Sequence, residues 1–256
     1  MRNLKSFAIA AVACGLVAGS LSAQTATGRV QWQGVNGAWS CYNGGSINGC
    51  FYTSPYLAKF EIPTLPANQQ YLPPAGTSGF GPTSDIFCVD FIHEANTGEY
   101  PANFTNLGQD VADVGVSTRL HGTVALTLQD YLESAWLAQK ILAEPNLGTA
   151  NALDMNGAIW QIMSGFPVYR NADNTQVAYW VGQAQGNWNG TSEIGVNASK
   201  WVVVTDQLAA GNNTAGSQEY LTQATTITPE PASMLLLGTG LLVMLVGAGA
   251  LRRPTA

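Results

Sequence analysis

The chain has 256 residues, of which 46% are hydrophobic but only 10% are charged. Soluble domains usually carry about 25% charged residues, so this surface must rely on neutral polar side chains, as is typical of exported proteins. Ten basic and sixteen acidic side chains give a net charge of −6, which argues against nucleic acid as a partner because that function needs clustered cations. Seven Trp, nine Tyr and eight Phe provide enough apolar area to exclude a disordered chain.

The first 23 residues are typical of a secretory signal peptide. A short basic start is followed by an apolar stretch and by small residues that end at Ala23. We therefore expect residues 1–23 to be removed and residues 24–228 to form one exported domain. That domain carries six basic and fifteen acidic side chains, a net charge of −9.

Cys41 and Cys50 are predicted to form a disulfide. They flank a loop rich in Gly and Asn that can close a short ring, and the exported compartment is oxidising. Cys88 is then left over, which indicates either a reactive thiol or a buried free thiol, and the cysteine count does not decide between them.

Short strands are predicted along the domain. The clearest covers residues 85–93, which are dense in β-branched and aromatic side chains. Its alternation places Phe87, Val89 and Phe91 on the core face and Cys88 with Asp90 on the opposite face. Further strands are predicted over residues 30–39, 56–62, 200–205 and 221–227.

Three helices are predicted in the second half of the domain. Thr127, followed by Asp130, is typical of a capping box and begins a helix over residues 127–143. The others cover residues 152–164 and 174–185, each bounded by capping or turn residues. Together these elements predict an α+β fold, a single extracellular domain of antiparallel strands plus about three helices.

Three short strings resemble the thioester domains of bacterial surface adhesins: FCVDF at 87–91, SAWLAQ at 134–139 and AIW at 158–160. In that family a cysteine forms an internal thioester with a glutamine two residues before Ala-Ile-Trp, and an amine or hydroxyl of the partner surface opens it. The resemblance implies Cys88 as the thiol, but Asn156 stands at the glutamine position. Asparagine is one methylene shorter, so its carboxamide carbon falls about 1 Å short. A related scaffold without the bond is favoured over an intact Cys88–Asn156 thioester.

A cysteine hydrolase is a weaker alternative. It would pair Cys88 with His93 or His121, the two histidines of the chain. On a strand, however, His93 would face away from Cys88. Exposed aromatic side chains would instead suit a polysaccharide ligand, because their faces can stack on sugar rings.

Residues 234–251 form an uncharged apolar run of eighteen residues. As a helix this run would extend about 27 Å, close to the thickness of a bilayer core. Arg252 and Arg253 follow directly, which predicts a cytoplasmic C-terminus. We therefore expect one C-terminal transmembrane helix.

Pro229, Glu230 and Pro231 stand just before this run. The order Pro-Glu-Pro, apolar run and basic tail over residues 229–256 resembles the PEP-CTERM sorting signal. In that family an exosortase, a membrane protease of Gram-negative bacteria that also make exopolysaccharide, reads the signal. The resemblance implies exosortase and the secretion machinery as partners, removal of the tail near the motif, and delivery to the cell surface or the extracellular matrix.

The sequence therefore predicts a non-enzymatic, exported surface or matrix protein with a binding or structural role. We expect no cofactor, no metal and no nucleic acid, and a C-terminal helix in the membrane before sorting. The candidate ligands are exopolysaccharide or an amine or hydroxyl of another surface. The alternative is a covalent adhesin that uses an internal thioester at Cys88.

Overall fold

The computed structural model describes residues 25–226, apart from residues 46, 67–68, 92, 96, 122–123 and 212–215. The predicted signal peptide, the motif Pro229-Glu230-Pro231 and the predicted helix over residues 234–251 lie outside the described residues.

The described part of the chain contains strands throughout and three α-helices in its second half. The strands are β1 (Ala26–Val35), β2 (Trp39–Gly44), β3 (Ile47–Tyr52), β4 (Tyr56–Glu61), β5 (Tyr71–Leu72), β6 (Ala75–Gly76), β7 (Thr83–Cys88), β8 (Glu99–Asn106), β9 (Leu120–His121), β10 (Val124–Ala125), β11 (Val168–Arg170), β12 (Trp201–Asp206), β13 (Tyr220–Gln223) and β14 (Thr225–Thr226). The α-helices are α1 (Leu128–Ala143), α2 (Ala150–Ser164) and α3 (Thr175–Gly186).

Six antiparallel strands form a closed sheet in the order β1-β8-β12-β13-β7-β4, with β4 pairing back onto β1. Strand β1 closes the sheet because it is ten residues long and pairs with one neighbouring strand on each of its two edges. Residues 26–31 pair with β8, and residues 29–35 pair with β4. The β1–β4 register shifts between Trp32 and Gly34, and such a bulge adds the bend that a closed sheet needs.

A smaller sheet, β11-β2-β3, packs against α2. The ring of Tyr42 on β2 meets that of Trp160 edge to face, with centroids 4.8 Å apart, and the Tyr42 hydroxyl donates to the carbonyl of Leu153 at 2.8 Å. On β11, the Arg170 guanidinium pairs with Asp154 of α2. The helix is thereby joined to the small sheet by packing, a hydrogen bond and an ion pair.

The three predicted helices are confirmed, with ends within two residues of those expected. The capping box that begins α1 is also confirmed. The Thr127 side chain accepts from the Asp130 backbone, and the Asp130 carboxylate accepts from the Thr127 N–H at 2.7 Å.

The predicted fold class is wrong. The expectation was an α+β domain followed by a C-terminal transmembrane helix, whereas six strands close on themselves with three helices packed beside them. Closure depends on the β1–β4 pairing, which the alternation within each strand does not reveal. Within residues 25–226, as far as they are described, no helix is both long and apolar enough to cross a bilayer.

The strand predicted over residues 85–93 is shorter than expected. It ends at Cys88, and the chain then turns, with the Asp90 side chain accepting from the backbone N–H of His93 at 3.3 Å. Asp favours such turns because its carboxylate can bond the backbone a few residues ahead. The predicted alternation of faces therefore does not extend beyond Cys88.

Candidate functional site

A cavity of about 460 Å³ opens beside the β2–β3 hairpin. We call it the aromatic groove, because seven of its thirteen lining residues are Trp, Tyr or Phe. The lining residues are Trp32, Val35, Trp39, Cys50, Phe51, Tyr52, Tyr56, Phe91, His93, Glu94, Ala95, Trp160 and Gln218.

The inner part of the groove presents apolar ring surface. Phe91 and Trp160 stack with centroids 4.6 Å apart and planes inclined by 17°, and Trp32 lies 5.1 Å from Tyr56. The polar atoms of two of these rings, Trp160 and Tyr56, already form hydrogen bonds. The Trp160 indole donates to the Cys88 carbonyl at 3.1 Å, and the Tyr56 hydroxyl donates to the Tyr52 carbonyl at 2.6 Å.

The outer part of the groove is formed by Trp39 and Tyr52, which are register partners on the hairpin. Their centroids lie 4.7 Å apart, and the residues are 58% and 49% exposed. The predicted disulfide between Cys41 and Cys50 is confirmed, and it joins the next same-face pair of this hairpin. The cross-link holds the two strands, and hence the two exposed rings, at a defined spacing.

His93 lines the groove, and its side chain contacts the buried ion pair between Asp90 and Arg119. Its Nδ1 donates to Asp90 Oδ2 at 2.7 Å, and Asp90 Oδ2 also lies 3.0 Å from Arg119 Nε. The side chains of Asp90 and Arg119 are both fully buried. The ring of His93 is therefore oriented by charges inside the protein, while Glu94 and Gln218 complete this polar end of the groove.

Cys88 and Asn156, the two residues of the alternative thioester hypothesis, both form hydrogen bonds with Ser54. The Cys88 N–H donates to Ser54 Oγ at 2.8 Å, and the Ser54 N–H donates to Asn156 Oδ1 at 3.0 Å. The other end of the Asn156 carboxamide donates to the carbonyl of Ala152 at 3.1 Å. Both side chains are buried, so the fold brings these residues to one neighbour although 68 positions separate them in the sequence.

The environment of Cys88 opposes a hydrolase mechanism. The thiol is free and 1% exposed, and its Sγ donates to the Asp90 carbonyl at 3.2 Å. Burial, together with the nearby charge of Asp90, raises the pKa of the Cys88 thiol, which disfavours the thiolate that a nucleophile needs. The side chain of His121, the other histidine considered, is outside the described part of the structure.

Sequence reasoning missed most of the aromatic groove. Its residues come from β1, β2, β3, the start of β4, the segment after β7, α2 and the segment before β13. No spacing in the chain links these segments. The available signal was the high aromatic content of residues 30–60, which does not distinguish a binding surface from a core.

No protein-family model, curated protein or solved structure matches this chain. The resemblances to PEP-CTERM proteins and to thioester domains therefore stay predictions from the sequence, and the aromatic groove is the feature of the structure that bears on function.

Proposed function

We propose that this protein is an exported cell-surface or extracellular-matrix protein that binds neutral saccharides in the aromatic groove. The observation that carries the proposal is the pair of exposed rings, Trp39 and Tyr52, beside an apolar cavity. Contiguous apolar surface on a folded protein commonly marks a binding site. Aromatic faces suit the apolar faces of sugar rings, and the polar end at His93 suits their hydroxyls.

The charge of the groove favours a neutral ligand over an anionic one. Among the described residues that line it, none is Lys or Arg, whereas Glu94 contributes a carboxylate. The exported domain as a whole carries a net charge of −9. A polyanionic polysaccharide would therefore approach a repulsive field.

The disulfide supports an oxidising compartment, because such bonds rarely persist in the cytosol. This agrees with the export predicted from the first 23 residues and with sorting through Pro229, Glu230 and Pro231. On this proposal, exosortase and the secretion machinery are the partners during export, and exopolysaccharide is the ligand afterwards. A difference in mass between the cell-bound and the released forms, equal to the residues after the motif, would test the sorting step.

Saccharide binding is best tested by calorimetry with neutral oligosaccharides, cello- and chito-oligosaccharides, and with the exopolysaccharide of the producing bacterium. Trp39→Ala and Tyr52→Ala should each weaken binding about tenfold or more, because each removes a stacking surface. Tyr179→Ala is the matched control, since Tyr179 is an aromatic residue 52% exposed on α3 that does not line the groove.

An equal loss of saccharide affinity in Trp39→Ala, Tyr52→Ala and Tyr179→Ala would contradict the proposal. The absence of binding to every saccharide offered would contradict it as well. Alginate and heparin provide the anionic comparison. Tighter binding of these polymers than of the neutral ones would overturn the assignment of a neutral ligand.

A covalent adhesin is the second candidate, favoured because the backbone N–H of Cys88 and the side-chain Oδ1 of Asn156 both bond to Ser54. In a thioester, Cys88 Sγ bonds to Asn156 Cγ, the Cγ–Nδ2 bond breaks, and the amide nitrogen leaves as ammonia with the thiol proton, which lowers the mass by about 17 Da. The unfolded protein would then resist alkylation at Cys88 until methylamine cleaves the bond. An unchanged mass with full alkylation of Cys88 in denaturant would exclude this candidate and leave saccharide binding unaffected.

A further inference from the structure

Strand β3 has an open edge. The six-stranded sheet is closed on itself, and β2 pairs on both of its sides, with β11 and with β3. Among the described residues, β3 is therefore the one strand longer than three residues that pairs along only one edge. Such an edge presents a row of backbone groups that another extended segment can pair.

The register of the β2–β3 hairpin identifies the backbone groups on this edge. The Cys41 carbonyl accepts from the Asn171 N–H on the side of β11, so the backbone of its register partner Cys50 points the opposite way, to the outside. The alternation of a strand then directs the backbone groups of Asn48 and Tyr52 outward as well. All three residues of β3 are exposed. Within the described part of the chain, no group bonds to the backbone N–H or C=O of Asn48 and Cys50 on this side.

This edge lacks the features that usually protect an exposed strand. Its sequence, INGCFY, contains neither a charged residue nor a proline. At the other side of the small sheet, β11 has only three residues, and it ends in Arg170, which is paired with Asp154. The chain then turns back through a bridge between Arg170 and Asp173. In the described part of the small sheet, β3 is thus the edge that is left for pairing.

The distribution of charge indicates what covers this edge. The exported domain carries a net charge of −9, so two copies repel each other over most of their surfaces. Residues 30–58, which include the whole hairpin, contain no charged side chain in 29 consecutive positions. A second copy therefore meets the least repulsion at this hairpin.

We propose that β3 pairs antiparallel with β3 of a second copy across a twofold axis. With Cys50 opposite its counterpart, Asn48 faces Tyr52 of the other copy, and about six N–H···O bonds form. The Tyr52 carbonyl accepts from the Tyr56 hydroxyl at 2.6 Å and has a second lone pair for this contact. Because both copies use the same strand, the contact closes as a dimer and does not propagate. The disulfide between Cys41 and Cys50 holds the hairpin in shape beforehand, which lowers the entropic cost of pairing.

The dimer does not depend on saccharide binding, but it has a consequence for it. In an antiparallel pair the twofold axis is normal to the sheet, so both copies present their Trp39 and Tyr52 rings on the same face. A polysaccharide bound to one pair of rings would meet the second pair on that face and gain avidity. This consequence alone rests on the proposed function.

Light scattering after size-exclusion chromatography tests the dimer on the full-length protein, in a mild detergent that shields the apolar residues 234–251. We expect the mass of the wild type to rise with concentration from that of a monomer to that of a dimer, and to stop there. Asn48→Pro removes an outward N–H but no bond to β2, and Asn48→Lys places a charge on the edge. Each should weaken the dimer about tenfold or more. Asn36→Lys is the matched control, because it adds the same charge to an exposed asparagine between β1 and β2, and it should leave the dimer intact.

Hydrogen exchange of the wild type provides a measurement that does not depend on how a variant folds. The backbone amides of residues 48–52 should exchange more slowly at concentrations where the dimer forms than in dilute solution. A wild type that stays monomeric up to about 1 mM would overturn the proposal and leave this edge to a different chain. Particles that grow beyond two copies, or a dimer that both position-48 variants retain, would overturn it as well.

Discussion

Glu219 illustrates how burial alters a single residue. It is fully buried, and its carboxylate accepts from the hydroxyls of Tyr131 and Thr205, each at 2.6 Å, and from the Arg119 N–H at 2.7 Å. Burial nevertheless raises the pKa of Glu219 to about 7, because the three hydrogen bonds offset only part of the lost hydration. The folded state thus binds this proton more tightly than the unfolded chain does.

The pH dependence of stability follows from that difference. With a pKa near 4.5 when unfolded and about 7 when folded, the contribution of Glu219 is fully present below about pH 4.5 and is lost as the pH rises through 7. Glu219→Gln, which mimics the protonated acid, should reduce the loss of unfolding free energy between pH 4.5 and 7.5 by about 1–3 kcal/mol. Urea unfolding across this range measures the effect.

The matched control is Glu99→Gln, which makes the same side-chain change at a partly exposed position on β8. Glu193 titrates in the same window, so the variant at position 219 should remove part of the slope and not all of it. If the unfolding free energy of Glu219→Gln changed with pH as steeply as that of the wild type, the raised pKa of Glu219 would be contradicted.

At the scale of elements, the beginning of α1 tests a feature that was predictable from the chain. The Thr127 and Asp130 side chains satisfy two backbone N–H groups that would otherwise lack partners. Thr127→Ala should cost about 1 kcal/mol of unfolding free energy. Chemical unfolding monitored by circular dichroism measures this cost.

Because the two residues act as one unit, the double variant with Asp130→Ala should cost less than the sum of the single variants. Strict additivity of the two changes would contradict a reciprocal capping box. Thr149→Ala provides a comparison, since the Thr149 side chain that caps α2 accepts from the Ala152 N–H without a reciprocal bond from position 152, and donates to Glu144 at 2.9 Å.

Helices were more predictable than strands, and β8 shows why. Its sequence, EYPANFTN, contains a proline and two asparagines and was not predicted to be a strand. Pro101 is tolerated because it pairs on the β1 side near the start of β8, while the pairing with β12 begins only at Ala102. Helix caps and periodicity lie within a dozen residues, but the partners that make β8 a strand lie far away in sequence.

At the scale of the whole molecule, closure of the sheet depends on close approach at Gly28. A Cβ added there would overlap the carbonyl oxygen of Glu61 and crowd the ring of Phe104. Gly28→Ala should therefore destabilise the protein by more than about 2 kcal/mol, because the obstructing atom belongs to backbone that cannot move without separating β1 from β4. Thermal and urea unfolding measure the loss.

Gly182→Ala is the control, and it is expected to raise the stability that Gly28→Ala lowers. Gly182 lies on α3, and a Cβ there meets open space, so alanine should stabilise the protein by about 0.5–1 kcal/mol through helix propensity. A small or favourable effect at position 28 would indicate that β1 and β4 need not approach so closely.

The elements and bonds that depend on near neighbours follow from the chain itself. The three helices, the capping box at Thr127 and the disulfide between Cys41 and Cys50 were all predictable, because the residues responsible lie within one helix or one hairpin. The resemblances at Cys88, Asn156 and residues 229–231 also come from the chain alone and stay predictions.

The way in which distant segments meet is visible only in the tertiary structure. It closed the sheet through β1 and β4, ended β7 at Cys88, and assembled the aromatic groove from residues as far apart as Trp32 and Gln218. It also buried the Glu193 side chain, a placement that no local pattern marks. The physical reason is common to all four outcomes: strand pairing and burial are properties of contacts between segments, and a single chain's local pattern constrains only the contacts within a segment.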